Sequence, residues 1–114
     1  MSKGVSVEDT HINKNKGYLK VLHTAKPTRR SALILHSPPS GIKAIKYLFR
    51  NILKGRVILK PKHKKRLQRH KGFIRKVSKS NLKEAHKSLS QKGAGLKLGD
   101  ILKTVLPLIP ALLL

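Results

Sequence analysis

No cysteine occurs in the chain, which removes disulfide staples and thiolate-bound metal and argues against a secreted scaffold built on cross-links. Tryptophan is absent as well, and two Phe and two Tyr are the whole aromatic complement. The side chains that contribute most to core burial, or that stack on unpaired bases, are therefore nearly missing. Negative charge is as scarce: Glu8, Asp9, Glu84 and Asp100 are the only acids. They leave no general acid and base pair, and the serines have no histidine and carboxylate companions, so the chain reads as a non-enzyme that needs no cofactor. No apolar run follows Met1, where Lys3, Glu8, Asp9 and Lys14 stand instead, and no signal peptide is expected.

Positive charge is what the sequence has. Lys and Arg number 27 against 4 acids, a formal net charge of +23 over 114 residues. Such a chain cannot neutralise itself, so its surroundings are expected to include a polyanion or an anionic surface. The length allows one small domain, and with few aromatics and strong self-repulsion the fold is expected to be partly disordered without its partner.

The expected fold class is mainly α: short basic helices, including a helix hairpin, with a disordered N-terminal arm and an apolar C-terminal tail. Residues 1–39 read as a flexible basic region, 40–92 as a basic helical nucleic-acid-binding region, and 93–114 as a Gly-rich joint and apolar tail. Met1 to Asn15 shows no periodicity and reads as an arm. Gly17 to Thr24 has a loose strand-like alternation, and the apolar run Ser31 to His36 is assigned by neither period. Ser40 to Gly55 predicts an amphipathic helix, with Ser40 as N-cap, apolar Ile42, Ile45, Leu48, Phe49, Ile52 and Leu53, and Gly55 as the stop. A second helix is expected from Pro61 through Val77, weakened at Gly72. A third is capped by Asn81 with Glu84 at N3, has Leu82, Ala85 and Leu89 on its inner face, and ends at Gly93.

From Lys60 to Lys92 run thirteen basic residues: Lys60, Lys62, Lys64, Lys65, Arg66, Arg69, Lys71, Arg75, Lys76, Lys79, Lys83, Lys87 and Lys92, against the single acid Glu84. The first twelve are the candidate contacts to DNA phosphates. At about one phosphate per 1.7 Å of duplex, a charge of +23 matches roughly 40 Å of double-stranded DNA, longer than a compact domain of this size is expected to be wide. That ratio favours coating and condensing over reading one site, and Asn and Gln, which pair with adenine, are rare in the helical segments. The alternative is a solvated, solubilising helix face. Lys62 to Arg69, KHKKRLQR, also has the composition of a nuclear localisation signal. His11, His23, His36, His63, His70 and His86 are not read as metal ligands, because neither Cys nor carboxylates complete a set among so many cations.

The tail from Ile101 to Leu114 would span about 21 Å as a helix, short of a ~30 Å hydrocarbon core, and Pro107 and Pro110 interrupt it. A strained transmembrane anchor from Leu96 to Leu114, which would include Lys97, Asp100 and Lys103, interfacial insertion into a membrane, docking on another protein, and folding back onto the Ser40 to Gly55 helix are the readings left open. A membrane-active or tail-anchored basic protein acting on anionic bilayers is the alternative function.

A Lys/Arg-rich body, a Gly-containing joint and LPLIPALLL resemble the adenovirus core protein X family, precursors of the mu peptide, and the similar small basic proteins of adintoviruses and Maverick (Polinton) elements. The resemblance covers about half the chain, Leu53 to Leu114. It implies a virion core protein found in the virion core and host nucleus, which condenses double-stranded DNA, and whose tail, Ile101 to Leu114, contacts the capsid interior or a membrane. It also implies a joint cut by a viral cysteine protease at an aliphatic residue, any residue, Gly, any residue, Gly. Gln91, Lys92, Gly93, Ala94 and Gly95 are similar, with Gln91 in place of the aliphatic residue and the implied cut between Ala94 and Gly95.

Overall fold

Three helices begin at a proline. The computed structural model describes residues 7–57, 59–91 and 93–108, which form α1 (Val7–Lys14), α2 (Lys16–Thr24), α3 (Pro27–Leu35), α4 (Pro39–Leu53), α5 (Pro61–Gln68), α6 (Lys71–Lys79), α7 (Leu82–Ser90), α8 (Ala94–Val105) and a closing 3-10 turn, Leu106–Leu108. Pro27, Pro39 and Pro61 open α3, α4 and α5, where a fixed φ suits the first turn and the missing N–H has no intrahelical acceptor to lose. The start expected at Ser40 thus shifts to Pro39. The stop stands where the sequence places it: Gly55, at φ 74°, adopts the left-handed conformation just beyond α4.

The fold is mainly α, as its composition implies, and its core is aliphatic. α4 buries Ile42, Ile45, Leu48, Phe49 and Ile52, spaced three and four apart, and is flanked by α1 and α6. α8 buries Leu98, Ile101, Leu102 and Val105 against α2, α3, α5 and α7. Phe49 meets Phe73 edge to face at 6.0 Å between ring centres. The Cα radius of gyration, 13.2 Å, is that of a compact chain of this length, about 13 Å. Leucine and isoleucine supply the burial that the scarce aromatics do not.

Several segments differ from their sequence reading. The arm of Met1 to Asn15 contains α1, whose Ile12 is fully buried; residues 1–6 lie outside the described part. Gly17 to Thr24 is helical rather than strand-like, because Leu19 and Leu22, three apart, are the pair that enters the core while Val21 stays exposed. Residues 1–39 are thus no free region from Val7 onward: α2 and α3 pack on α8. The expected helix from Pro61 is two helices, broken at Arg69 and His70 rather than weakened at Gly72. α5 rests on α8 and α6 on α4, and the chain must turn to reach both. The tail folds back as far as Leu108, chiefly onto α2, α3 and α7 rather than α4; residues 109–114 lie outside the described part.

Among the described residues one cation is kept inside. Arg30, 6% exposed, donates from Nε to the Leu22 carbonyl at 2.6 Å, from the Nη atoms to Gly95 at 2.7 Å and Ala25 at 2.6 Å, and more weakly to His23 at 3.3 Å. The guanidinium satisfies carbonyls that α2 leaves open at its C-terminus, where the helix dipole favours a positive charge. Burial pushes its pKa down from the ordinary arginine value. Its path across α8 requires Gly99, since a Cβ there would lie 2.2 Å from Nη1. A second lock joins α2, α3 and α4: the Tyr18 hydroxyl bonds the Ser37 hydroxyl, which donates to the Leu33 carbonyl at 2.6 Å, and the Tyr18 ring lies where a Cβ on Gly41 would be, at 2.8 Å.

Gly99→Ala is expected to destabilise the fold by about 3 kcal/mol, through overpacking and displaced guanidinium hydrogen bonds. Gly17→Ala, where a Cβ in the first turn of α2 would meet nothing within 4 Å, should stabilise by about 0.5 kcal/mol. Urea unfolding of the two variants measures both. Burial, partly offset by the Ser37 bond, raises the Tyr18 pKa above the ordinary 10.0. The folded state then holds the phenolic proton more tightly than the unfolded chain, so this contribution to stability is full below pH 10.0 and is lost as pH rises through the folded-state value. Tyr18→Phe should remove that alkaline loss, read as stability against pH.

Candidate nucleic-acid interface

The twelve cations expected to meet phosphate, Lys60, Lys62, Lys64, Lys65, Arg66, Arg69, Lys71, Arg75, Lys76, Lys79, Lys83 and Lys87, are all exposed. The reason is local. α5 has one buried residue, Leu67, so its remaining positions, mostly Lys and Arg, point to solvent. α6 turns Ile74, Val77 and Ser78 inward, which leaves Lys71, Arg75 and Lys79 in a row on one side at four-residue spacing, about 6 Å apart along the axis. α7 buries Ala85, Ser88 and Leu89 and turns Lys83 and Lys87 outward. Asn81 caps it as expected, its Oδ1 accepting from the Glu84 amide at 2.8 Å.

Of the carboxylates whose side chains are described, Glu84 is exposed and Asp100 is half-buried. Asp100 is committed to His70, with Oδ2 2.7 Å from Nε2. That pair ties the α5–α6 corner to α8, as does Lys97, whose Nζ sits 5.5 Å from the centre of the Phe73 ring. Twenty-two of the twenty-five described Lys and Arg side chains are exposed, among them Lys16, Lys20, Lys26 and Arg29 in the N-terminal third, which lie outside the interface expected from the sequence. Their signal is plain in the composition; only the fold supplies a helix to place them on. The principal extents are 43 × 31 × 25 Å. The expectation that about 40 Å of duplex charge outruns the domain holds across its two short axes but not along its length.

The described histidines are dispersed. His63 Nδ1 accepts from the Lys60 amide at 3.2 Å and closes the first turn of α5, His70 faces Asp100, and His86 Nε2 lies 2.8 Å from the Ile34 carbonyl. No group of three or more metal-ligating residues occurs among the described residues. No described helix is long and apolar enough to cross a membrane.

The joint is built into the fold. Gln91 is exposed, and Gly93, at φ 87°, caps the start of α8 in a conformation open to glycine. Ala94 and Gly95 are buried in the first turn of α8, where the Gly95 carbonyl accepts from Arg30 and a Cβ on Gly95 would lie 2.8 Å from the Pro27 carbonyl oxygen. An extended backbone, which a protease groove needs, is available between Ala94 and Gly95 only when α8 and Arg30 come apart. Comparison with protein-family models, with curated proteins and with solved structures found no match to the chain.

Limited proteolysis with a broad-specificity protease checks the closed joint. Cleavage between Ala94 and Gly95, located by mass spectrometry, should be slow in the wild-type chain. It should be roughly a hundredfold faster in Gly99→Ala, in step with a loss of about 3 kcal/mol in the stability of the closed state.

Proposed function

We propose that this protein is a non-enzymatic core protein of a virus or virus-derived element, which binds and condenses double-stranded DNA by neutralising phosphates without reading sequence. The observation that carries the reading is the exposure of all twelve cations from Lys60 to Lys87 on a folded body whose acid complement is four residues. Helices that spend their aliphatic positions on the core and leave Lys and Arg outside present charge without base-reading chemistry. The surface carries no platform of stacking aromatics: Phe49 is buried and Phe73 lies against it. Virion core and host nucleus are the proposed locations, by resemblance, and a capsid protein the proposed further contact of the tail.

The bilayer alternative has less to stand on. The apolar face of α4, which would have to enter a membrane, is buried against α1 and α6, and Ile101, Leu102 and Val105 of the tail are buried too.

Titration of a labelled duplex across a salt series tests the reading. Engagement of six to ten phosphates should lower affinity by about 10³ to 10⁵ between 50 and 200 mM salt, with unrelated sequences bound alike. Replacing Lys64, Arg66, Arg75 and Lys79 together by Gln should reduce the salt slope by about 3 to 4, at roughly 0.9 for each phosphate no longer neutralised. A flat salt dependence, or strong preference for one sequence, would remove the proposal.

A further inference from the structure

We infer that the protein holds two duplexes at once, one on the α5–α6 surface and a second on the smaller cationic surface of α2 and α3. This inference rests on the DNA-binding reading and adds to it the way in which condensation is achieved. The geometry comes from α8, which stands between the two surfaces. Gly95 and Gly99 face Arg30 and, through it, the end of α2. Lys97 and Asp100 lie about 100–200° further round at 100° per residue and face Phe73 and His70 at the α5–α6 corner. What packs on one side of α8 therefore looks away from what packs on the other.

Both outward surfaces are cationic. From Lys60 to Lys79 ten exposed Lys and Arg side chains cover the α5–α6 side. Lys16 and Lys20, four apart on α2, with Lys26 and Arg29 at the start of α3, are exposed on the other. The whole molecule measures 43 × 31 × 25 Å against a ~8 Å screening length at physiological salt, so charges on opposite sides of it are screened from one another. A duplex on the first surface therefore does not satisfy the second, and the second remains a binding surface for another polyanion. The unequal numbers rank the two: the larger surface determines affinity, the smaller one bridging.

The test uses the full chain with Lys16, Lys20, Lys26 and Arg29 replaced by Gln, beside the wild type and the Lys64, Arg66, Arg75 and Lys79 variant, with helicity checked by circular dichroism. Each is measured for affinity to a trace labelled duplex at physiological salt, and for capture of a second labelled duplex by protein already bound to an immobilised one. Wild type should capture. The α2–α3 variant should keep its affinity within about twofold while capturing about tenfold less, because the inference places the removed charges on the side turned away from the first duplex. Equal loss of affinity and capture would mean a single surface, and undiminished capture would mean bridging by other groups; either overturns the inference and leaves the DNA-binding reading standing. Failure of the wild type to bind duplex at all would remove that reading and the inference with it.

Discussion

The constraint on which this structure depends is that its cations far outnumber its carboxylates, so the fold must place them in water and still find enough apolar surface to close. Short helices answer both demands, because each carries one narrow aliphatic stripe inward and leaves most of its circumference to Lys and Arg. α5 is the limiting case, held by a single buried leucine and by its neighbours. Arg30 is the exception that shows the rule. A buried guanidinium is costly, and it persists here because backbone carbonyls, which are dipoles rather than charges, take up its donors. Those carbonyls come from the end of α2 and from α8, so one side chain ties the N-terminal third to the start of the tail.

The parts of the fold that are legible in the sequence are those where local signals suffice. The apolar spacing of α4, Gly55 behind it, Pro61 before α5 and the Asn81 cap all act within one or two turns. What is hidden depends on contacts between distant residues. The break at Arg69 and His70 serves a helix pair with different supports and is pinned by Asp100, thirty positions away. Arg30 cannot be told from the surface cations around it, because its acceptors are carbonyls that any sequence has. The segment of α2 fits both a period of two and a helical one over eight residues, and only the choice of Leu19 and Leu22 as the buried pair decides. The tail is hidden by its own boundary: Leu98, Ile101, Leu102 and Val105 form a helical stripe that a division at Ile101 cuts in two.

The candidate interface is legible for a different reason. Exposure of a Lys-rich segment needs no tertiary information, since burying unpaired ammonium groups is ruled out by solvation alone. Composition therefore locates the α5–α7 cations, yet it says nothing about direction, and direction distinguishes a coating from a bridge. A disordered polycation has no fixed faces, whereas in this fold α2 and α3 pack on α8 and α6 packs on α4, so the direction of each cationic helix is set by the aliphatic core. Ile101, Leu102 and Val105, which as a free tail would be a liability in a charged protein, are part of what sets that direction. The apolar end of the chain and its cationic body are thus one device: the first fixes where the second can point.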